Sequence, residues 1–228
     1  MKTKLLLLFI YISTMSYGQS KSDSISIIRF TPISQKINNV NGLAIGLGLD
    51  EAYESLGNQN IKKPKIINGL NLEINPLAIV WICFYKPDRF PGNETSIVNG
   101  VNISFGGFLK NTSHNGINFS VYNNGRKMNG ISFTFFGTYV ESLNGFYFSC
   151  FGNSAKVGRG ISISGLNEIN DFKGFQVGLV NDSDKLEGVQ FGLINKSKTG
   201  KNIQIGLWNK NEKRQLPIIN WNFKTKKL

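Results

Sequence analysis

Histidine, cysteine and acidic residues are all scarce in this chain. Of 228 residues, one is histidine, two are cysteine and 14 are Asp or Glu, against 26 Lys and Arg. A zinc centre draws on several His or Cys ligands, and a nucleophile relay needs a base oriented by a carboxylate. His114 lies in "KNTSHNG" with no acid close in sequence, and reads as a turn residue. Glu141, Glu168, Asp171, Asp182, Asp184 and Glu187 are scattered over different linkers rather than paired for acid–base work. Glu73, in "NLEINP", is the one acid within an early strand and reads as an exposed strand residue. "GLGLD" is not a phosphate loop, because no helix pattern and no correctly placed Lys follow it. No catalytic, metal or cofactor-binding residue is therefore assigned, no cofactor is expected, and the chain reads as non-enzymatic.

Long apolar runs are missing too. "NPLAIVWICF" falls short of the roughly 20 residues a spanning helix needs and reads as a buried strand. The other run, "LLLLFIYI", follows Lys2 and Lys4 and precedes "SYGQ", which predicts a secretory signal over residues 1–18. Losing it removes two lysines from a net charge of +12 and leaves about +10, a balance that suits anionic partners. Export excludes nucleic acid as a partner and places the chain in the periplasm, the outer membrane or on the cell surface. Two cysteines are too few for a disulfide framework. Cys83 and Cys150 sit in apolar runs and are expected as free, buried thiols, with Cys150 pointing into the core.

What is abundant is glycine, 25 in all, and it is periodic. With the first Gly of "GFQVGLVN" as marker, the register returns at Gly100, Gly116, Gly130, Gly145, Gly160, Gly174 and Gly188, and Asn202 takes the last place. The intervals are 14 to 16 residues. Earlier markers, Gly42 and Gly69, are separated by wider gaps that hold two loop candidates, "LDEAYESLGNQNIKKPK" and "FYKPDRFPGNET". After each marker the chain alternates, as in "GVNISF", "GISFTF" and "GVQFGL", with apolar residues first, third and fifth and polar or small ones between. Period two is a strand with two unlike faces. Asn or Gly recurs seven places after most markers, where a corner is expected, and charges crowd the linking segments.

Two all-β architectures fit. One is a single-domain β-solenoid of roughly 14–15-residue coils with two loop insertions near the N-terminus. The alternative is an antiparallel outer-membrane β-barrel, apolar side to lipid, acting in pore formation or transport. Uniform spacing and same-residue columns favour the solenoid, since parallel stacking makes equivalent residues neighbours. So does the lone apolar residue before the marker (Val98, Met128, Leu143, Phe172, Leu186), which shares the parity of the polar face and is expected to enter a core by a bend at the glycine. The domain plan is a repeat unit over 19–228, irregular with loops over 41–99, regular over 100–209, and closed over 210–228 by a cap and basic tail. "QLPIINWNF", with Pro217, is the expected cap, and Trp208 and Trp221 are expected to cover the open core.

The run from Gly174 to Asn209, with its Gly, apolar, Gln, apolar, Gly, Leu, apolar, Asn units, resembles surface-repeat proteins of bacterial envelopes, of the Bacteroidota type. The resemblance implies a non-enzymatic, exported envelope or surface repeat protein with a structural or binding role. The polar parity supplies the candidate site: surface ladders of Ser104, Ser120, Thr134, Ser149 and Ser164, and of Gln176, Gln190 and Gln204. A regular hydroxyl and amide face suits a polysaccharide, while the basic charge suits anionic lipid or another envelope protein.

Overall fold

The computed structural model describes residues 25–31, 37–46, 64–74, 94, 96–106 and 112–223. The expected signal segment, both long loops, Cys83 and the basic tail lie outside them. Among the described residues nine strands form one sheet in chain order: β1 (Ile25–Thr31), β2 (Asn39–Gly46), β3 (Lys65–Glu73), β4 (Ser96–Ser104), β5 (Thr112–Ser149), β6 (Gly152–Ile163), β7 (Leu166–Thr199), β8 (Asn202–Lys210) and β9 (Gln215–Asn222). Every neighbouring pair from β1 to β8 is parallel. The chain is a β-solenoid of about nine turns, about 15 residues apart. The long β5 and β7 continue through corners. Parallel pairing rules out the antiparallel barrel.

Markers stack on markers: Gly42 on Gly69, Gly100 and Gly116, and Gly145 on Gly160 and Gly174. Two causes make this column glycine. The backbone there has φ between +111° and +153°, a region that side chains disfavour. A Cβ on Gly145 would also stand 2.0 Å from the Gly130 carbonyl oxygen, and one on Gly130 2.1 Å from that of Gly116. At Asn202 the bend moves to Gly200 (φ 105°), whose carbonyl accepts from Asn202 Nδ2 at 3.1 Å.

The interior reverses the expected polarity. The residues before the marker do enter the core: Val98, Met128, Leu143, Phe172 and Leu186 are all buried, joined by Val140, Ala155 and Ile169. They need no flip at the glycine to do so. The second and fourth residues after the marker share their parity and also point inward, so the polar face is the inside. The apolar first, third and fifth residues point outward. Cys150, a fifth residue, is accordingly an exposed free thiol and not a core one.

At the C-terminal end the chain reverses, and β9 pairs antiparallel with β8. Its inward residues are Asn220 and Asn222. Asn220 Nδ2 donates to the Asn209 carbonyl at 3.2 Å and Asn222 Nδ2 to that of Gly200 at 3.0 Å. Trp208 and Trp221 do not plug the interior. They lie on the outer apolar face, and the Arg214 guanidinium stacks over Trp221 at 4.3 Å.

Candidate interaction surface

Polar side chains can fill this interior because identical amides stack at the strand spacing, about 4.8 Å, and each can both donate and accept. Asn71 Nδ2 donates to Asn102 Oδ1 (2.8 Å), Asn102 to Asn118 (2.7 Å), and Asn118 to Ser132 Oγ (2.9 Å). Gln204 Nε2 donates to Gln190 Oε1 and Gln190 to Gln176, both at 2.8 Å. The corner column repeats the device through Asn167, Asn181, Asn195 and Asn209 at 2.7–2.8 Å. Satisfied in this way, a buried amide avoids the desolvation penalty of an orphan.

The candidate residues therefore face the interior, and of them the glutamines bond one another along the stack. Ser104, Thr134, Ser149, Ser164, Gln176, Gln190 and Gln204 are buried, and Ser120 is partly buried with its Oγ on Asn123 Oδ1 at 2.7 Å. None of the fully buried ones can meet a polysaccharide on the surface. A surface amide ladder exists elsewhere, one residue before the marker, where Asn41, Asn68, Asn99, Asn115, Asn129 and Asn144 are linked at 2.7–2.9 Å. The recurrent "NG" at those markers was its signal in the sequence.

The exposed surface that the fold builds is apolar. Ile103, Ile117, Phe119, Ile131, Phe133, Phe148, Phe175 and Phe191 all project from it, and stacked rings such as Phe119 on Phe133 (centroids 5.4 Å apart) form a row. Nine stacked strands, from the Gly100 coil to β9, span about 38 Å, and five residue steps about 17 Å, giving roughly 650 Å². A monomer rarely leaves so large a contiguous apolar patch without a use for it. Toward β9 the face dips into a trough of about 680 Å³. The walls are the third and fifth residues of each coil, among them Val177, Phe191, Leu179 and Leu193, and the floor is Gly178, Gly192 and Gly206.

Ion pairs among the described residues lie off this face, and the Arg214 guanidinium reaches it over Trp221 at its C-terminal end. Glu141 pairs with Arg126 (3.2 Å) and Lys156 (3.3 Å), Glu187 with Lys185 (3.4 Å) and Lys173 (3.7 Å), and Lys127 with Glu94 (3.3 Å). All lie on the connecting segments, and those of Glu141 with Arg126 and Lys156 and of Glu187 with Lys173 link successive coils. Neighbouring lysines hold the Glu187 carboxyl below its usual range.

His114 is not a turn residue. It occupies the apolar column between Val98 and Met128 inside β5, 1% exposed. Burial pushes its imidazole down to about 4, against an opposing backbone hydrogen bond at Gly100. Among the described residues no three His, Cys, Asp or Glu side chains gather in a metal-binding group. Comparison of the chain with protein-family models, with curated proteins and with solved structures found no match.

Proposed function

We propose that this chain is a non-enzymatic, exported cell-envelope repeat protein whose structural or binding role is exerted through its apolar outer face. One observation carries the reading: a row of large apolar side chains, including Phe175 at 55%, Leu179 at 58%, Phe191 at 56% and Leu207 at 70% exposure, runs along the stack where water would otherwise meet it. Apolar area returns about 25 cal/mol per Å² when covered, so a face this size is a strong driving force for association. The interior amide ladders support the same reading, since they hold the face flat and regular. The secretory pattern at the N-terminus and the resemblance to envelope surface repeats supply the compartment.

Cys150 provides the test, because its thiol is exposed on this face. Maleimide labelling of the Cys150 peptide, read by mass spectrometry, should be rapid on purified protein and strongly suppressed in intact envelope fractions. Equal labelling in both would overturn the proposal.

A further inference from the structure

We infer that the C-terminal end of the apolar face docks on an anionic lipid leaflet, with the trough seating acyl chain and the surrounding bases meeting headgroups. The inference rests on the reading of the face as an interaction surface and names its partner. From residue 189 to 223 the chain carries six basic side chains, Lys196, Lys198, Lys201, Lys210, Lys213 and Arg214, against one acid, Glu212. Lys198 is engaged by Asp184, whereas Lys196, Lys201, Lys210 and Lys213 are exposed and make no ion pair among the described residues. Earlier on the rim the signs are mixed, with Glu168 and Asp182 opposite Arg159 and Lys173.

The bases sit where headgroups would be. Lys196 and Lys210 each follow the last outward apolar residue of their coil, Ile194 and Trp208, by two places, and Lys201 precedes the outward Ile203 by two. They thus border the apolar strip on both sides. The same end is its most exposed part: Leu207 is 70%, Ile218 74% and Phe223 62% exposed. Ile218 is held at φ 66°, a left-handed conformation that a β-branched residue disfavours. That strain sets its side chain at the end of the trough, with no burial in return. Beyond Phe223 the sequence adds Lys224, Lys226 and Lys227. An apolar surface rimmed by Lys and Arg is the chemistry of interfacial lipid binding. A second copy fits less well, because an isologous pairing would set this basic rim against itself.

The test is flotation of the full chain with vesicles of phosphatidylcholine alone or mixed with phosphatidylglycerol, alongside Trp208 and Trp221 fluorescence. The expected result is at least thirtyfold tighter binding to the mixed vesicles, weakened by salt, with a blue shift. Leu193→Ser with Leu207→Ser should abolish the shift. Lys196→Gln with Lys210→Gln should cost about thirtyfold in affinity for the mixed vesicles, at about fivefold per charge, and leave weak neutral binding unchanged. Both pairs alter exposed side chains, and unchanged circular dichroism confirms the fold. Binding indifferent to lipid charge, or to the Leu193 and Leu207 changes, overturns the inference. Self-association lost in the leucine variant, without vesicle binding, overturns the lipid partner but keeps the interaction surface. A monomer that binds neither vesicle overturns both.

Discussion

The coils from Gly116 to Gly165 and those from Gly174 to Asn209 have nearly the same length and the same outer face, yet they are filled differently. In the first group Asn118, Ser132, Tyr147 and Ser162 occupy the second place after the marker, and Ser120, Thr134, Ser149 and Ser164 the fourth. In the second group the pair is always Gln and Gly. The structure explains the pairing. A Cβ on Gly192 would stand 2.2 Å from the Gly178 carbonyl oxygen and 2.6 Å from Asn181 Nδ2, and one on Gly178 2.4 Å from the Ser164 carbonyl oxygen and 2.8 Å from Asn167 Nδ2, so the preceding backbone and the corner amide together occupy that space. Across the interior, Val140, Ala155 and Ile169 give way to Ser183 and Ser197, whose hydroxyls bond Gln176 (3.1 Å) and Gln204 (3.4 Å). The first group is thus part apolar core and part local hydroxyl–amide links. The second is amide ladders running along the stack. A coil of fixed circumference conserves interior volume and hydrogen-bond balance, and residue types change in sets to keep both.

The largest predicted effect lies at the junction of the groups. Gly174→Ala forces a side chain onto φ 137° and places Cβ 2.0 Å from the Gly160 carbonyl oxygen, for a loss of about 4 kcal/mol. Gly152→Ala meets nothing closer than 3.5 Å and should shift the denaturation midpoint little. Similar losses in the two would break the account of the marker column.

Acid should discriminate between the groups next, since the single histidine lies in the first. His114 has a folded pKa of about 4 against 6.5 unfolded, so its neutral form is the one that folds. Stability is then full above pH 6.5 and falls as pH drops toward 4, by about 3 kcal/mol at 1.36 kcal/mol per unit. His114→Met, matching Met128 in its column, should flatten denaturation midpoints over that window. A persistent slope in the variant would assign the acid sensitivity elsewhere.

The smallest effect sharpens the contrast in filling. Gln190→Leu removes the ladder bonds to Gln176 and Gln204, which keep Ser183 Oγ and the Lys210 carbonyl as partners, and should cost about 2 kcal/mol, whereas Ser132→Ala should cost about 1 kcal/mol. Equal costs in urea denaturation would mean that the glutamine ladder adds nothing beyond its separate bonds.

Much of this was legible in the residues. Glycine spacing gave the coil length and the stacking register, because a parallel stack makes every marker a neighbour of the next. The parity of Val98, Met128 and Leu143 even carried the answer to which face is inside, as it places them with Asn, Ser and Gln. It was read instead as a bend, on the premise that an apolar face must be the core. Cys150, the ladder residues and the two tryptophans were all misplaced for that one reason. His114 was misplaced because its linker setting hid its membership of the apolar column.

By itself, the sequence determined that the chain alternates, where it bends and which positions repeat, since these depend on local backbone geometry and period. Which face turns inward was decided only by the tertiary structure. An isolated strand gains from burying its apolar side and loses by burying an amide. Once coils stack in register, the laddered amides bond a counterpart in a neighbouring coil, which offsets that loss, and the narrow interior can close around the polar face, leaving the apolar one outside.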